Sequence, residues 1–320
     1  MDDIASTAAS RALTKQVNAF TVDVEDYFHV AALSSAVSRE SWSLRESRVE
    51  RNTERLMGVL AEQDVRATFF VLGWVAERIP SLVRRIADAG HEIACHGYSH
   101  RLVYTQTASE FREETVRAKR SLEDTTGQAV AGYRAASFSV TRASLWALDT
   151  LIDLGFSYDS SIFPIHHDLY GLPGAMPEPH RVSAPSGRTL AEFPMSTANI
   201  LGLKVPVSGG GYFRILPYWL TRTGLQQINH SRPFAFYLHP WELDPGQPRI
   251  SVGAFSRFRH YTNLAGCEGR LRRLLDEFSF TCMHEVLQQH GLLAAERSAA
   301  TRPPRPIAAG PLVHGRLPAG

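Results

Sequence analysis

The chain reads as an α/β protein with a parallel sheet or barrel at its core. Three observations carry that reading. Apolar runs of strand length alternate with helical patterns up to about residue 160, at the spacing of β–α–β units. Residues 67–72 (ATFFVL) are apolar without alternation, as in strands buried on both faces of a parallel sheet. Chemistry-bearing residues collect where strands end, Asp23-Val24-Glu25-Asp26 first among them, and that is where such sheets bind ligands.

The elements follow in order. Residues 17–24 are a β-rich run that ends in the acidic cluster. Residues 51–63 place Leu56, Val59 and Leu60 at helical spacing, and the strand at 67–72 comes next. Pro80 opens a helix with Leu82, Val83 and Ile86 on one side and Gly90 as its stop. Residues 91–95 form a strand that runs into a turn at Gly97. His96 and His100 are four apart, a spacing that on one helical turn puts both imidazoles on one face. Residues 109–126 are a charged amphipathic helix stopped by Gly127, 131–135 a short strand, 141–154 a helix stopped by Gly155, and 156–160 a strand. From 162 to 218 eight prolines and the run Gly209-Gly210-Gly211 mark a loop-rich insertion with short strands, expected to lie over the face of the sheet. A loop of that length in a compact domain is usually functional or disordered, and its aromatic residues favour function. Residues 233–239 return to a buried strand that ends in His239. A helix at 264–277, a strand at 278–282 and a helix at 284–290 close the fold, while 1–16 and 297–320 read as disordered.

Composition excludes several classes. A net charge of +2 without a Lys/Arg-rich run gives no footprint for nucleic acid. The arginines of the last third are read as a solvated face. Cys95, Cys267 and Cys282 make no disulfide framework, and Cys95 beside Ile93 and Ala94 reads as a buried, inert thiol. No apolar run is long enough to span a bilayer, and the first 17 residues carry acids in place of an apolar signal core, so the expected location is cytoplasmic.

Polar groups end four strands: Asp23, Glu25 and Asp26; His96 and His100; Arg134; and His239. The histidine pair lacks the intervening glutamate of the metalloprotease helix, so a third ligand and a base must come from elsewhere. The runs FTVDVEDYF (20–28), ATFFVLG (67–73), HEIACHGYSH (91–100), GYRA (132–135), YDSS (158–161) and YLHPWE (237–242) together resemble the polysaccharide deacetylases of carbohydrate esterase family 4. The resemblance covers residues 17–290, and SGGGYFR (208–214) is similar to the branch found in exopolysaccharide loci with the exosortase system. It implies a distorted (β/α) barrel of the NodB-homology type with a branch-specific insertion and C-terminal part over 162–290.

The resemblance also implies roles. Asp23 is the general base, Arg134 orients it through a charge-assisted and bidentate hydrogen bond, and His239 is the general acid. One carboxylate with His96 and His100 holds a divalent metal, Zn²⁺ foremost, with Co²⁺ or Ni²⁺ as alternatives. Strand alternation puts Asp23 and Glu25 on one face, which favours Glu25 as ligand and leaves Asp26 as the alternative. Tyr133, Asp159 and Trp241 are the expected substrate contacts. The substrate is an N-acetylated oligo- or polysaccharide or its precursor, and the products are acetate and a free amino sugar. Three departures stand out: Asp-Val-Glu replaces an adjacent acidic pair, Ala135-Ala136-Ser137-Phe138 replaces a proline and aromatic, and Asp159 has no tryptophan partner. Hydrolysis of another non-peptide C–N bond, a peptidoglycan-type substrate, and an inactive carbohydrate-binding module remain as alternatives.

Overall fold

The computed structural model describes residues 16–167, 170–200 and 202–294. The expected disordered ends lie outside the described residues, apart from Gln16. Strand β1 (Asn18–Val24) is buried along its whole length and sits one strand in from the β10 edge of the sheet. Helix α1 (Val49–Glu62), β2 (Thr68–Val71), α2 (Gly73–Arg78), α3 (Pro80–Asp88) and β3 (Glu92–Cys95) follow. Next come α4 (Ala108–Thr126), β4 (Gly132–Tyr133), α5 (Trp146–Asp153) and β5 (Tyr158–Asp159). Helix α4 has clear end signals. A capping box joins Thr107 and Glu110 at its start, and Gly127 at φ 69° ends it, a left-handed conformation that glycine adopts without penalty.

The second half contributes β6 (His180–Ser183), β7 (Thr189–Glu192), the hairpin β8 (Thr197–Ile200) and β9 (Leu203–Pro206), and α6 (Gly210–Ile215). Helix α7 (Tyr218–Asn229), β10 (Ala235–Leu238), α8 (Ala254–Tyr261), α9 (Cys267–Glu277), β11 (Phe280–Thr281) and α10 (Met283–Gln289) complete it. The main sheet runs β10-β1-β2-β3-β4-β5-β7-β6, with β11 on the first residues of β1. Every pairing is parallel except β6 with β7. The sheet curls into a half-barrel with helices on its outside.

Register decides where the chemistry sits. Val24 is level with Val71, Val71 with Cys95, and Cys95 with Tyr133, while Val22 is level with Leu238 on the other side. The residues just past these positions, Glu25, His96, Arg134 and His239, therefore emerge along one rim. Alternation divides the two faces. Phe20, Val22, Val24, Phe69 and Val71 pack into the outer core, while Ala19, Phe70, Ala94, Ala235 and Tyr237 belong to the inner one. A third cluster joins Tyr27, Phe28, Leu33 and Trp42, from the loops after β1, to Trp241 and Leu264 from the other end of the chain.

Three expectations change. His96 and His100 are not on a helical turn. They lie in a loop in which Gly97 (φ 72°) and His100 (φ 50°) both have left-handed backbone. The helix expected at 141–154 is a short 3-10 turn, Arg142–Ser144, followed by α5 from Trp146. The insertion does not simply cover the sheet, because β6 and β7 extend its edge and continue its hydrogen bonding. The glycine run has a steric cause. Gly209 has φ 131° and bridges to Tyr237, and a Cβ there would stand 1.9 Å from the Tyr237 carbonyl oxygen. Only glycine lets the chain graze β10 and turn into α6.

Candidate active site

Arg134 is fully buried and serves the rim twice. Its Nη1 donates to Asp23 Oδ1 at 2.6 Å and to Thr21 Oγ1 at 2.8 Å, and Nη2 donates to Ser160 Oγ at 3.0 Å. The expected bidentate fork on Asp23 is thus a single bond, because the second guanidinium arm is held by the loop after β5. Burial raises the Asp23 pKa, but Arg134, His96 and His239 outweigh it, and the net shift is downward. Asp23 is held as a carboxylate, the form a base requires.

The second service of Arg134 is its carbonyl. His96 Nδ1 lies 2.9 Å from the Arg134 oxygen. A carbonyl only accepts, so Nδ1 carries the proton and Nε2 keeps its lone pair. Burial depresses the pKa of both His96 and His100, which keeps them neutral. Glu25, His96 and His100 can bring one ligand atom each within 4.8 Å of one another, all three buried. His100 Nε2 stands 3.0 Å from Glu25 Oε2, yet the pair makes no hydrogen bond and Oε2 is otherwise unpartnered. Two lone pairs converging in this way suit a shared ion, since ligands at ~2.1 Å around a tetrahedral centre stand roughly 3.3 Å apart. Burial also pushes the Glu25 carboxyl up to about 8, a penalty that a divalent cation would reverse. The donor set, two neutral imidazoles and a carboxylate, fits zinc-like metals and leaves positions open.

Asp26 is committed elsewhere. Its Oδ2 accepts from the Arg48 N–H at 2.6 Å, the Val49 N–H at 3.0 Å and Ser47 Oγ at 2.9 Å, and Oδ1 accepts from the Tyr27 N–H. It satisfies backbone donors at the start of α1, a capping function. Asp26→Asn is accordingly expected to lose about 1–2 kcal/mol of stability and keep its metal. Glu25→Gln is expected to fold and lose metal. Metal analysis beside thermal melting of the two variants checks both.

His239 faces the same space, with Nε2 3.2 Å from Glu25 Oε1 and 4.0 Å from Asp23 Oδ2. Its Nδ1 lies 2.7 Å from Glu242 Oε1, and its backbone N–H donates to that same oxygen at 3.1 Å. Glu242 is in turn fixed by Arg214, whose Nε donates to Oε2 at 2.5 Å. The remaining Arg214 donors bind the carbonyls of Arg259, His260 and Thr262. Burial alone would raise Glu242, but Arg214 and His239 hold it at about 2. Burial alone would lower His239, but Glu25, Glu242 and Asp23 push it up to about 9, so Nε2 carries a proton and Nδ1 donates to Glu242. Sequence reasoning did not assign Glu242 or Arg214 a role. The signal was present as His-x-x-Glu at 239–242 and as the arginine that closes the 208–214 run.

The rim encloses a cleft of about 160 Å³. Trp241 lines it, stacked on His239 (5.2 Å) and on His260 (4.3 Å). Phe138 supplies the aromatic wall. Consecutive left-handed residues, Ser137 (φ 50°) and Phe138 (φ 53°), bring its ring edge-on to Tyr237 at 5.0 Å. Two expected substrate contacts are not in the cleft. Tyr133 faces the outer core, edge-on to Phe111 at 5.8 Å and to Phe156 at 5.5 Å. Asp159 is buried beside Glu192 in neighbouring strands and accepts from Ser161 Oγ at 2.5 Å. Burial and Asp159 together push Glu192 well above its usual range, which favours its protonated form. Asp159 therefore fixes the loop that holds Arg134 and does not line the cleft.

A curled parallel sheet carries two histidines, a carboxylate and a separate aspartate–arginine pair on one rim, and its fold is of the NodB (β/α) type. Comparison with known proteins narrows the family. Residues 43–155 match the family model described as polysaccharide deacetylase, and residues 160–288 match one described as a domain of unknown function, DUF3473. The chain is 36% identical over 77 residues to a peptidoglycan-N-acetylglucosamine deacetylase of Bacillus cereus, covering 24% of this chain and 28% of that one. It is 31% identical over 114 residues to a peptidoglycan deacetylase of Helicobacter pylori, covering 36% and 37%. The chain thus spans about a third of the length of these curated relatives. A Mycobacterium smegmatis structure provisionally assigned to the polysaccharide deacetylases shares the fold, with TM-score 0.59 and 21% identity over 85% of this chain and 89% of that one. The likeness to polysaccharide deacetylases is thus carried by residues 43–155 and by partial matches to the relatives.

Proposed function

We propose that the protein hydrolyses N-acetyl groups on an amino-sugar polymer or its precursor, with a divalent metal, zinc foremost, held by Glu25, His96 and His100. The observation that carries this reading is the convergence of three buried ligand atoms beside a carboxylate base and an imidazolium. The metal would supply an activated water and polarise the acetamide carbonyl. Asp23, kept ionised by Arg134, takes the proton of the attacking water. His239 gives its Nε2 proton to the departing nitrogen, and Glu242 stabilises the imidazolium before transfer. Trp241 and Phe138 form the apolar walls against which a sugar ring would rest. An exopolysaccharide role in the exosortase-system branch belongs to this proposal through the resemblance of residues 208–214. No helix among the described residues is long and apolar enough to cross a membrane.

The test is acetate release from N-acetylglucosamine oligomers by purified protein, before and after chelation and after zinc is restored. Activity that disappears with chelator and returns with zinc supports the proposal. Undiminished activity in metal-free protein refutes the metal assignment, and no acetate from any N-acetylated oligosaccharide refutes the substrate class.

A further inference from the structure

We infer that α8 is a docking face for an anionic membrane surface, and that it holds the mouth of the cleft at the level of the lipid headgroups. Phe255 and Phe258 are three residues apart on α8, on one helical face. They are 72% and 53% exposed, whereas His260, on the opposite side of the helix, is buried. Adjacent bare phenyl rings are not what a soluble surface needs.

The charge around them has one sign. Residues 245–267 contain Arg249, Arg257 and Arg259, one histidine and no acidic residue. Among the described residues none of these arginines forms an ion pair. Apolar aromatics on a short amphipathic helix, with arginines nearby that have no carboxylate partner among the described residues, match the chemistry of an interface with anionic lipid.

Position ties the face to the site. Arg259 lines the cleft, and its guanidinium lies 5.5 Å from the Phe255 ring centroid. Rings that enter a bilayer surface would therefore bring the cleft to that surface. Other occupants fit less well. Phenyl rings on a convex helix offer no hydrogen bonds to sugar hydroxyls, and a second copy about a two-fold axis would bring like-charged arginines together. The membrane inference stands without the deacetylase reading. Its consequence, that the sugar acted upon is attached to a lipid, rests on that reading.

The experiment is co-sedimentation of the full chain with vesicles of phosphatidylglycerol and phosphatidylcholine, against vesicles of phosphatidylcholine alone. The expected result is binding to the anionic vesicles that weakens with salt and falls at least tenfold in the Phe255→Ser/Phe258→Ser double variant. Arg257→Gln is expected to weaken it less. Melting temperature and acetate release from a soluble oligosaccharide, equal in wild type and double variant, show that the fold and site are intact. No binding by wild type, or equal binding by the double variant, overturns the inference. So does a concentration-dependent dimer that the double variant abolishes, which would assign the face to a second copy. Vesicle binding is read without substrate, so failure of the deacetylase reading leaves this result interpretable.

Discussion

Asp23→Asn is expected to lower turnover by about 10²–10⁴-fold on amides and on activated esters alike, with metal content unchanged. The amide is isosteric and keeps the place of the carboxylate beside Arg134, but it accepts no proton. His239→Ala is expected to separate the two substrate types. An amine leaves poorly without a proton, so an N-acetyl sugar loses the greater part of that factor, whereas an aryl acetate expels a phenolate that needs little help. Initial rates on both substrates, with metal quantified in each variant, check the pair of roles. Equal losses for His239→Ala on the two substrates would reassign the residue to structure. The geometry already separates the groups: Asp23 is held ionised by a buried arginine, and His239 is held protonated by a ring of carboxylates.

Arg214→Met is expected to be the most destabilising single change near the site. Arg214 and Glu242 are both essentially without solvent contact. Removing one partner of a buried ion pair costs about 3–5 kcal/mol, because the other charge stays desolvated and unpaired. Arg214 also binds three carbonyls, which would lose their donor. The variant is expected to melt earlier than Glu242→Gln, which keeps the shape of its partner and removes the charge. Glu242→Gln is in turn expected to shift the alkaline limb of the pH–rate profile more than it lowers stability. The sign follows from the pair: Glu242 raises the pKa of His239, so its neutralisation lets the imidazolium deprotonate at lower pH, and activity falls earlier as pH rises. Thermal melts and pH–rate profiles of the two variants measure both effects.

Much of the site was legible because a parallel sheet places strand ends on one rim, and Asp23, His96, Arg134 and His239 each follow an apolar run. The choice of Glu25 over Asp26 followed from alternation, which keeps Glu25 on the side of Asp23, while Asp26 turns to the first N–H groups of α1. The same alternation could have corrected Tyr133. If Arg134 faces inward, its strand neighbour faces out, and Tyr133 does pack against Phe111 of α4 and against Phe156. Arg214 and Glu242 were illegible as a pair because 28 residues separate them and only the third dimension joins them. The closeness of Asp159 and Glu192 was hidden likewise, since it depends on β5 and β7 being neighbours with β6 on the outer edge.

The pairing of β1 has a consequence for how the protein is made. Its partners are β2, which follows about fifty residues later, and β10 and β11, which begin at Ala235 and Phe280. During synthesis the strand that bears Asp23 and Glu25 therefore spends most of elongation with one hydrogen-bonding edge bare, an edge that could pair with another nascent chain. Closing that edge requires contacts more than two hundred residues apart, and such contacts form slowly. His239 arrives on the strand that closes it, so the protonated acid and the sealed sheet appear in a single late folding step. Ribosome-bound chains shorter than about 240 residues would hold the histidine pair and the aspartate, yet remain inert and prone to association.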